Sequence, residues 1–211
     1  MNRKLIIFLL VVLGNAWIWR ILGGSLFLGL GLMSLSFFLV FNFKIPTFIL
    51  LAVLGSFLLK NTFDTNLLYV SPLEKDKLVH RHEYYSQGLG KIYKNRIGIY
   101  LNYSVAPYIS RFSKNLSYNL DPNLYFFANH PRERGGVIEF DKFFYISLPI
   151  FVFGLISLLS SAFVLPVIYF AVSLFITAFL FPGYDLGPVL LFPFIVTVLY
   201  LGAVKIIGRW I

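Results

Sequence analysis

The sequence predicts an all-α, polytopic helical membrane protein with about six transmembrane helices. They are arranged three plus three around one mostly helical extracytoplasmic segment. Three observations predict this. Of the 211 residues, 58% are hydrophobic and 13% charged, about half the charged share of a soluble domain. The apolar residues gather in long runs, which suits helices that must satisfy their own backbone in hydrocarbon. Twelve of the 18 Lys/Arg residues fall between Lys60 and Lys142, leaving the flanking runs nearly bare of charge. The composition excludes a disordered chain and a free-standing soluble enzyme. The absence of cysteine excludes a disulfide scaffold and a thiolate metal site.

Three regions follow: a three-helix membrane region over residues 1–60, a polar and interfacial segment over 61–142, and a second three-helix region over 143–211. Met1-Asn2-Arg3-Lys4 ahead of an apolar stretch is a pattern shared with secretory signals. No small-x-small cleavage site follows cleanly, so a retained first span over 5–19 is expected. Trp17, Trp19 and Arg20 close it as an interface signature, with indoles at head-group depth and a cation reaching past them. A second span is expected over 25–41. A third, over 45–59, rises only about 23 Å against a hydrocarbon core of about 30 Å and is expected to be short.

No charge occurs between Lys142 and Asp185. That stretch suits two helices, split at Ser160-Ser161 into 143–159 and 163–181, with Pro166 tolerated in the first turn of the later one. The breakers from Pro182 to Pro188 precede a last span over 189–207, which Pro193 is expected to kink. Arg3, Lys4, Lys44, Lys205 and Arg209 flank short loops and place both termini in the cytoplasm, in a plasma (inner) membrane. Arg20 dissents, and the long central segment weighs little in this rule.

In the central segment, Ser71-Pro72-Leu73-Glu74 reads as a capping box opening a polar helix. Leu89, Tyr93, Ile97, Leu101, Val105 and Ile109 then paint one apolar face at helical spacing, with a break expected at Pro107. Lys91, Tyr93, Lys94, Arg96, Arg111, Phe112 and Lys114 make this a basic and aromatic amphipathic helix suited to a membrane interface. The plainer reading is a helix packed on the bundle with a solvated basic face. The net charge of +9 therefore points to anionic lipid head groups rather than nucleic acid.

His130, Arg132, Arg134 and Lys142, beside Gly135-Gly136, form a candidate contact for an anionic lipid or phosphate, since guanidinium forks match phosphate oxygens. The plainer alternative is a loop whose arginines meet head groups or pair with Glu133, Glu139 and Asp141. Asn129-His130 opens like the NH-x4-D/E motif of glycerolipid acyltransferases, but Gly135 stands where the acid belongs. His80 and His82 are two apart on a helix and point to opposite sides, so no metal site is expected. Asn102-Tyr103-Ser104 and Asn115-Leu116-Ser117 match the glycosylation sequon. No acid falls in the middle of an expected span, which argues against an ion-coupled carrier.

The run from Phe112 to Gly154, FSKNLSYNLDPNLYFFANHPRERGGVIEFDKFFYISLPIFVFG, resembles a loop and following span of bacterial lipid-carrier-dependent membrane glycosyltransferases. The resemblance implies an extracytoplasmic central segment and a link to envelope glycoconjugates. It carries over no catalytic residue, because those enzymes hold an essential acid in their first extracytoplasmic loop and no Asp or Glu precedes Asp64 here. The expected function is that of a non-enzymatic accessory or scaffold component of cell-envelope assembly, working with membrane lipids and a membrane protein partner. It needs no catalytic residue, metal or cofactor. The alternative is a small membrane enzyme or flippase acting on a lipid-linked phosphate.

Overall fold

The first apolar run forms two helices instead of one, and the reason is Asn15. The computed structural model describes residues 3–89, 95–127, 142–160 and 163–207. Helix α1 spans Arg3–Leu13 and α2 spans Ala16–Gly24, bent from it by 66°. The Asn15 amide donates to the carbonyls of Val11 and Val12, at 3.0 and 2.7 Å, and its oxygen accepts from the Ile18 N–H at 2.9 Å. One side chain thus satisfies the end of α1 and the start of α2, which makes the break stable in apolar surroundings. The bend also turns Trp17 inward. Expected at head-group depth, Trp17 is instead fully buried, while Trp19 stays 58% exposed.

Helix α3, Leu26–Val40, is capped by the Ser25 hydroxyl, and α4, Lys44–Thr62, follows after a turn at Asn42. Asn42 takes the left-handed conformation, φ 63°, that ends many helices. At 19 residues, α4 rises about 28 Å. This corrects the expected short third span, because Lys44 starts the helix and Lys60-Asn61-Thr62 continue it. Leu54 packs on Gly31, so α3 and α4 form an antiparallel hairpin.

Ser71 caps α5, Pro72–Leu89, but the Glu74 carboxylate pairs with Arg111. Helix α6, Arg96–Tyr100, runs through a widened π turn at Leu101–Val105 into α7, Ala106–Asn119. Pro107, where a break was expected, lies in the first turn of α7, directly after the π turn that divides α7 from α6. Helix α8, Asn123–Phe126, buries Leu124, Tyr125 and Phe126.

Helices α9, Ser147–Leu159, and α10, Val164–Thr177, stand at 116° to each other. A 3-10 turn, Val189–Leu191, leads into α11, Phe192–Ile207. Pro193 lies in the first turn of α11, where its missing N–H costs nothing, so the expected kink gives way to a helix start. Every residue from Pro188 to Tyr200 is buried. A helix apolar on all sides belongs inside a bundle, and α11 is its axis.

Two glycines set how closely α9 meets that axis. A Cβ on Gly154 would stand 1.9 Å from the Val198 carbonyl oxygen, and one on Gly202 would stand 2.1 Å from that of Ile150. Residue 154 thus faces 198 while residue 150 faces 202, so α9 runs antiparallel to α11. Strict alternation of six spans would make them parallel.

The architecture is all-helical among the described residues, apart from one isolated bridge between Phe63 and Leu180. Two helices, α4 and the segment Val189–Ile207, are long and apolar enough to cross a membrane, or up to four spans form if each bent pair counts as one. Among the described residues, helix length and apolarity thus give two to four candidate spans where six were expected. Outward-facing apolar residues such as Leu10, Leu26, Ile45 and Ile49, each more than 60% exposed, fit a lipid-facing surface.

Gly154→Ala and Gly202→Ala are each expected to push α9 off α11 and destabilise the fold by about 1–3 kcal/mol. A lowered Tm in detergent, with Gly23→Ala as a control where an added Cβ meets no atom within 4 Å, is the measurement that checks it.

Candidate functional site

The side chains of the central segment that chemistry would use are divided between a buried anchor and an open groove. The anchor forms around Trp17. Its indole N–H donates to the Leu186 carbonyl at 2.7 Å, and its backbone N–H donates to the Lys142 carbonyl at 3.3 Å. Tyr125, Phe143 and Phe192 surround the ring with centroids 5.6–5.9 Å away, within the range of favourable aromatic pairs.

Lys142 closes the anchor. It is 5% exposed, donates from Nζ to the Leu124 carbonyl at 2.8 Å and lies 5.7 Å over the Trp17 ring. A buried ammonium needs such compensation, from a carbonyl and the negative face of an indole. Its expected contact with an anionic head group is thereby replaced by a place inside the fold. The loop meets it at Gly187, whose φ of 72° suits glycine and whose added Cβ would stand 2.9 Å from Lys142 Cε. The sequence signal that pointed here was a lysine beside Phe143-Phe144, at the start of an uncharged run.

Helix α7 docks on the bundle at a second polar knot. Asn115 Nδ2 donates to Asp64 at 3.1 Å and to the Ala178 carbonyl at 3.2 Å, while the Asn66 N–H donates to the other Asp64 oxygen. Asp64 and Asn115 are both buried. A buried, hydrogen-bonded Asn115 is no glycan acceptor. Arg111 donates to the carbonyls of Asn66 and Tyr69 and to Glu74, tying α7 to the turn after α4 and to the start of α5. Its guanidinium is engaged within the protein.

Between these contacts lies a groove of about 460 Å³, lined by Phe63, Leu67, Leu68, Tyr108, Ile109, Phe112, Phe175 and Phe179. Phe112 packs on Phe175 and Phe179 at 5.6 and 5.1 Å. Only the C-terminal end of the expected interfacial face is packed. Ile97, Leu101 and Ile109 remain 67%, 49% and 58% exposed. Arg96 and Lys114 are exposed. Lys91, Tyr93, Lys94, His130, Arg132 and Arg134 lie outside the described residues.

The two histidines of α5 diverge as their spacing predicts. His80 faces Asp76 and Glu83, and the His82 ring meets Tyr103 at 5.1 Å. No metal-holding group of His, Asp and Glu occurs among the described residues. Comparison of the chain with family models, with curated proteins and with solved structures finds no match in any of the three.

Trp17→Ala is expected to cost about 3–5 kcal/mol, as for other buried aromatics, seen as a collapse of Tm or loss of folded protein. A second expectation concerns Tyr125, whose hydroxyl donates to the Asn119 carbonyl at 2.6 Å. Burial first, then the nearby Tyr118 and Asp121, raise its phenol well above the usual range. The folded state keeps a proton that the unfolded chain loses near pH 10, so this group's contribution is complete below about pH 10 and declines as pH rises beyond it. Tyr125→Phe is expected to flatten that alkaline fall in Tm.

Proposed function

We propose that this chain is a non-enzymatic, multi-pass protein of the plasma (inner) membrane, an accessory or scaffold component of envelope assembly. It engages anionic lipid head groups through the exposed face of α6 and α7. The observation that carries this reading is the exposed apolar stretch Ile97, Leu101 and Ile109, flanked by exposed Arg96 and Lys114, on a helix docked against membrane-type helices. A membrane protein partner on the same surface, and the link to glycoconjugates implied by the resemblance of residues 112–154, belong to the same proposal.

Both termini are cytoplasmic in this reading, and the central segment is outside. α1 with α2 brings the chain out, α3 returns it, α4 brings it out again and α11 returns it last. The antiparallel run of α9 against α11 supports a re-entrant course for α9, entering and leaving on the outer side. Six crossings would leave the termini unchanged but would put Ser160 in the cytoplasm.

The chain has no cysteine, so Ser160→Cys provides a unique label. A membrane-impermeant maleimide is expected to reach it in intact cells. Labelling only after permeabilisation would restore six crossings.

Full-length protein in nanodiscs of mixed phosphatidylglycerol and phosphatidylcholine is expected to enrich the anionic lipid around itself. Removing Arg96 and Lys114 as cations, in Arg96→Gln/Lys114→Gln, is expected to lower that preference by about 1 kcal/mol each. Unchanged enrichment sinks the head-group role.

A further inference from the structure

The groove between α7, α10 and the turn after α4 has a narrower use than general lipid contact. We propose that it is a binding site for a single acyl chain of a membrane lipid. This rests on the membrane reading above and names the ligand of that surface.

The lining is the first argument. The groove is walled by Phe63, Leu68, Ile109, Phe112, Phe175 and Phe179, with no charged side chain among its lining residues. Its volume of about 460 Å³ falls within the range of small-molecule sites, roughly 300–1,000 Å³. A polar ligand would lose its hydration here without replacement, whereas methylene groups gain about 0.8 kcal/mol each on burial.

The second argument is access. Phe175 continues along α10 through Val172 and Ile168. All three are exposed, from 37% to 56%. The groove therefore opens along this apolar helix flank, and a chain can slide in from a leaflet without crossing a polar barrier. A soluble partner would have to reach it from water, past no matching polar rim.

The third argument is that the walls are fixed in advance. The Phe63–Leu180 bridge, the Asp64–Asn115–Ala178 hydrogen bonds and the Arg111 clamp on Asn66, Tyr69 and Glu74 hold the three walls apart. A preformed site loses less freedom on binding than one that must be assembled. Charge complements the fit, because exposed Lys60 lies in the last turn of α4, three residues before Phe63. An acyl chain seated on Phe63 leaves its anionic head group in reach of that cation.

The test uses full-length protein in vesicles containing phosphatidylglycerol with a photoactivatable diazirine near the end of one acyl chain. Irradiation followed by peptide mapping is expected to give at least fivefold more adduct on the peptide carrying Ile109 and Phe112 than on that carrying Ile45 and Ile49, which face lipid elsewhere. Ile109→Trp, at a largely exposed position that does not threaten folding, fills the groove and is expected to remove that excess while leaving the Ile45–Ile49 adducts unchanged. Equal labelling of the two peptides, or an excess that survives Ile109→Trp, overturns the site. With a photoactivatable residue placed at position 109 instead, capture of a second copy or of another protein in place of lipid also overturns it. If the groove fails while phosphatidylglycerol enrichment in nanodiscs persists, the head-group reading stands without it. Loss of both removes the membrane-surface function as a whole.

Discussion

Backbone contact between α9 and α11 is the constraint on which the rest of the structure depends. Two glycines bring the helices so close that carbonyl oxygens occupy the space a methyl group would need. In a lipid environment no hydrophobic force drives helices together, so close van der Waals packing must do so. Once α9 is locked to one side of α11, the remaining sides are covered by α1, α3 and α10, and the axis is sealed from Pro188 to Tyr200. The uncharged run from Pro188 to Tyr200 follows, because every residue of it is buried, and Lys205 comes only in the last turn of α11.

The central segment is joined to this bundle at two polar points of different kinds. At Trp17 and Lys142, a cation and an indole are buried together, and carbonyls from α8 and from the loop before α11 complete their hydrogen bonds. At Asp64 and Asn115, a carboxylate and an amide join the end of α4 to α7 and to the end of α10. Buried polar groups left unmatched would cost more than the contacts give. These two points therefore fix where the segment sits more sharply than its apolar packing does. The groove lies beside the second of them, and its shape is a by-product of that fixed docking.

Much of the helical plan was legible from hydrophobic runs. The start of α5 was readable from Ser71 and Pro72, the divergence of His80 and His82 from their spacing, and the turn before α11 from its prolines and glycines. Three features were hidden for physical reasons. Asn15 sits in an apolar run where averaging conceals it, yet its side chain, next to Gly14, bridges the ends of two helices where one was expected. Trp17 and Lys142 carry the signature of a membrane interface, and only the bend at Asn15 and the return of the chain at Tyr125 place them in the core. The direction of α9 cannot be read from an uncharged run, because hydropathy gives length and not polarity. Of the candidate site residues, Arg111 and Phe112 were found as surface groups and serve instead as clamp and wall, while Arg96 and Lys114 stay on the surface where their pattern put them. The groove itself had no sequence signal, since its residues come from three separate stretches of chain.

The burial of Lys142 has a bearing on how the chain is made. Trp17 and Leu124 precede the lysine, but the loop that packs on its stem at Gly187 leaves the ribosome some 45 residues after it. Until that loop arrives, this side of Lys142 stays open to water. The order of synthesis thus leaves the Trp17 anchor uncovered until α11 follows. A chain stopped short of that helix would present an open lysine stem where the finished protein has a sealed core, a difference that quality control in a membrane can read.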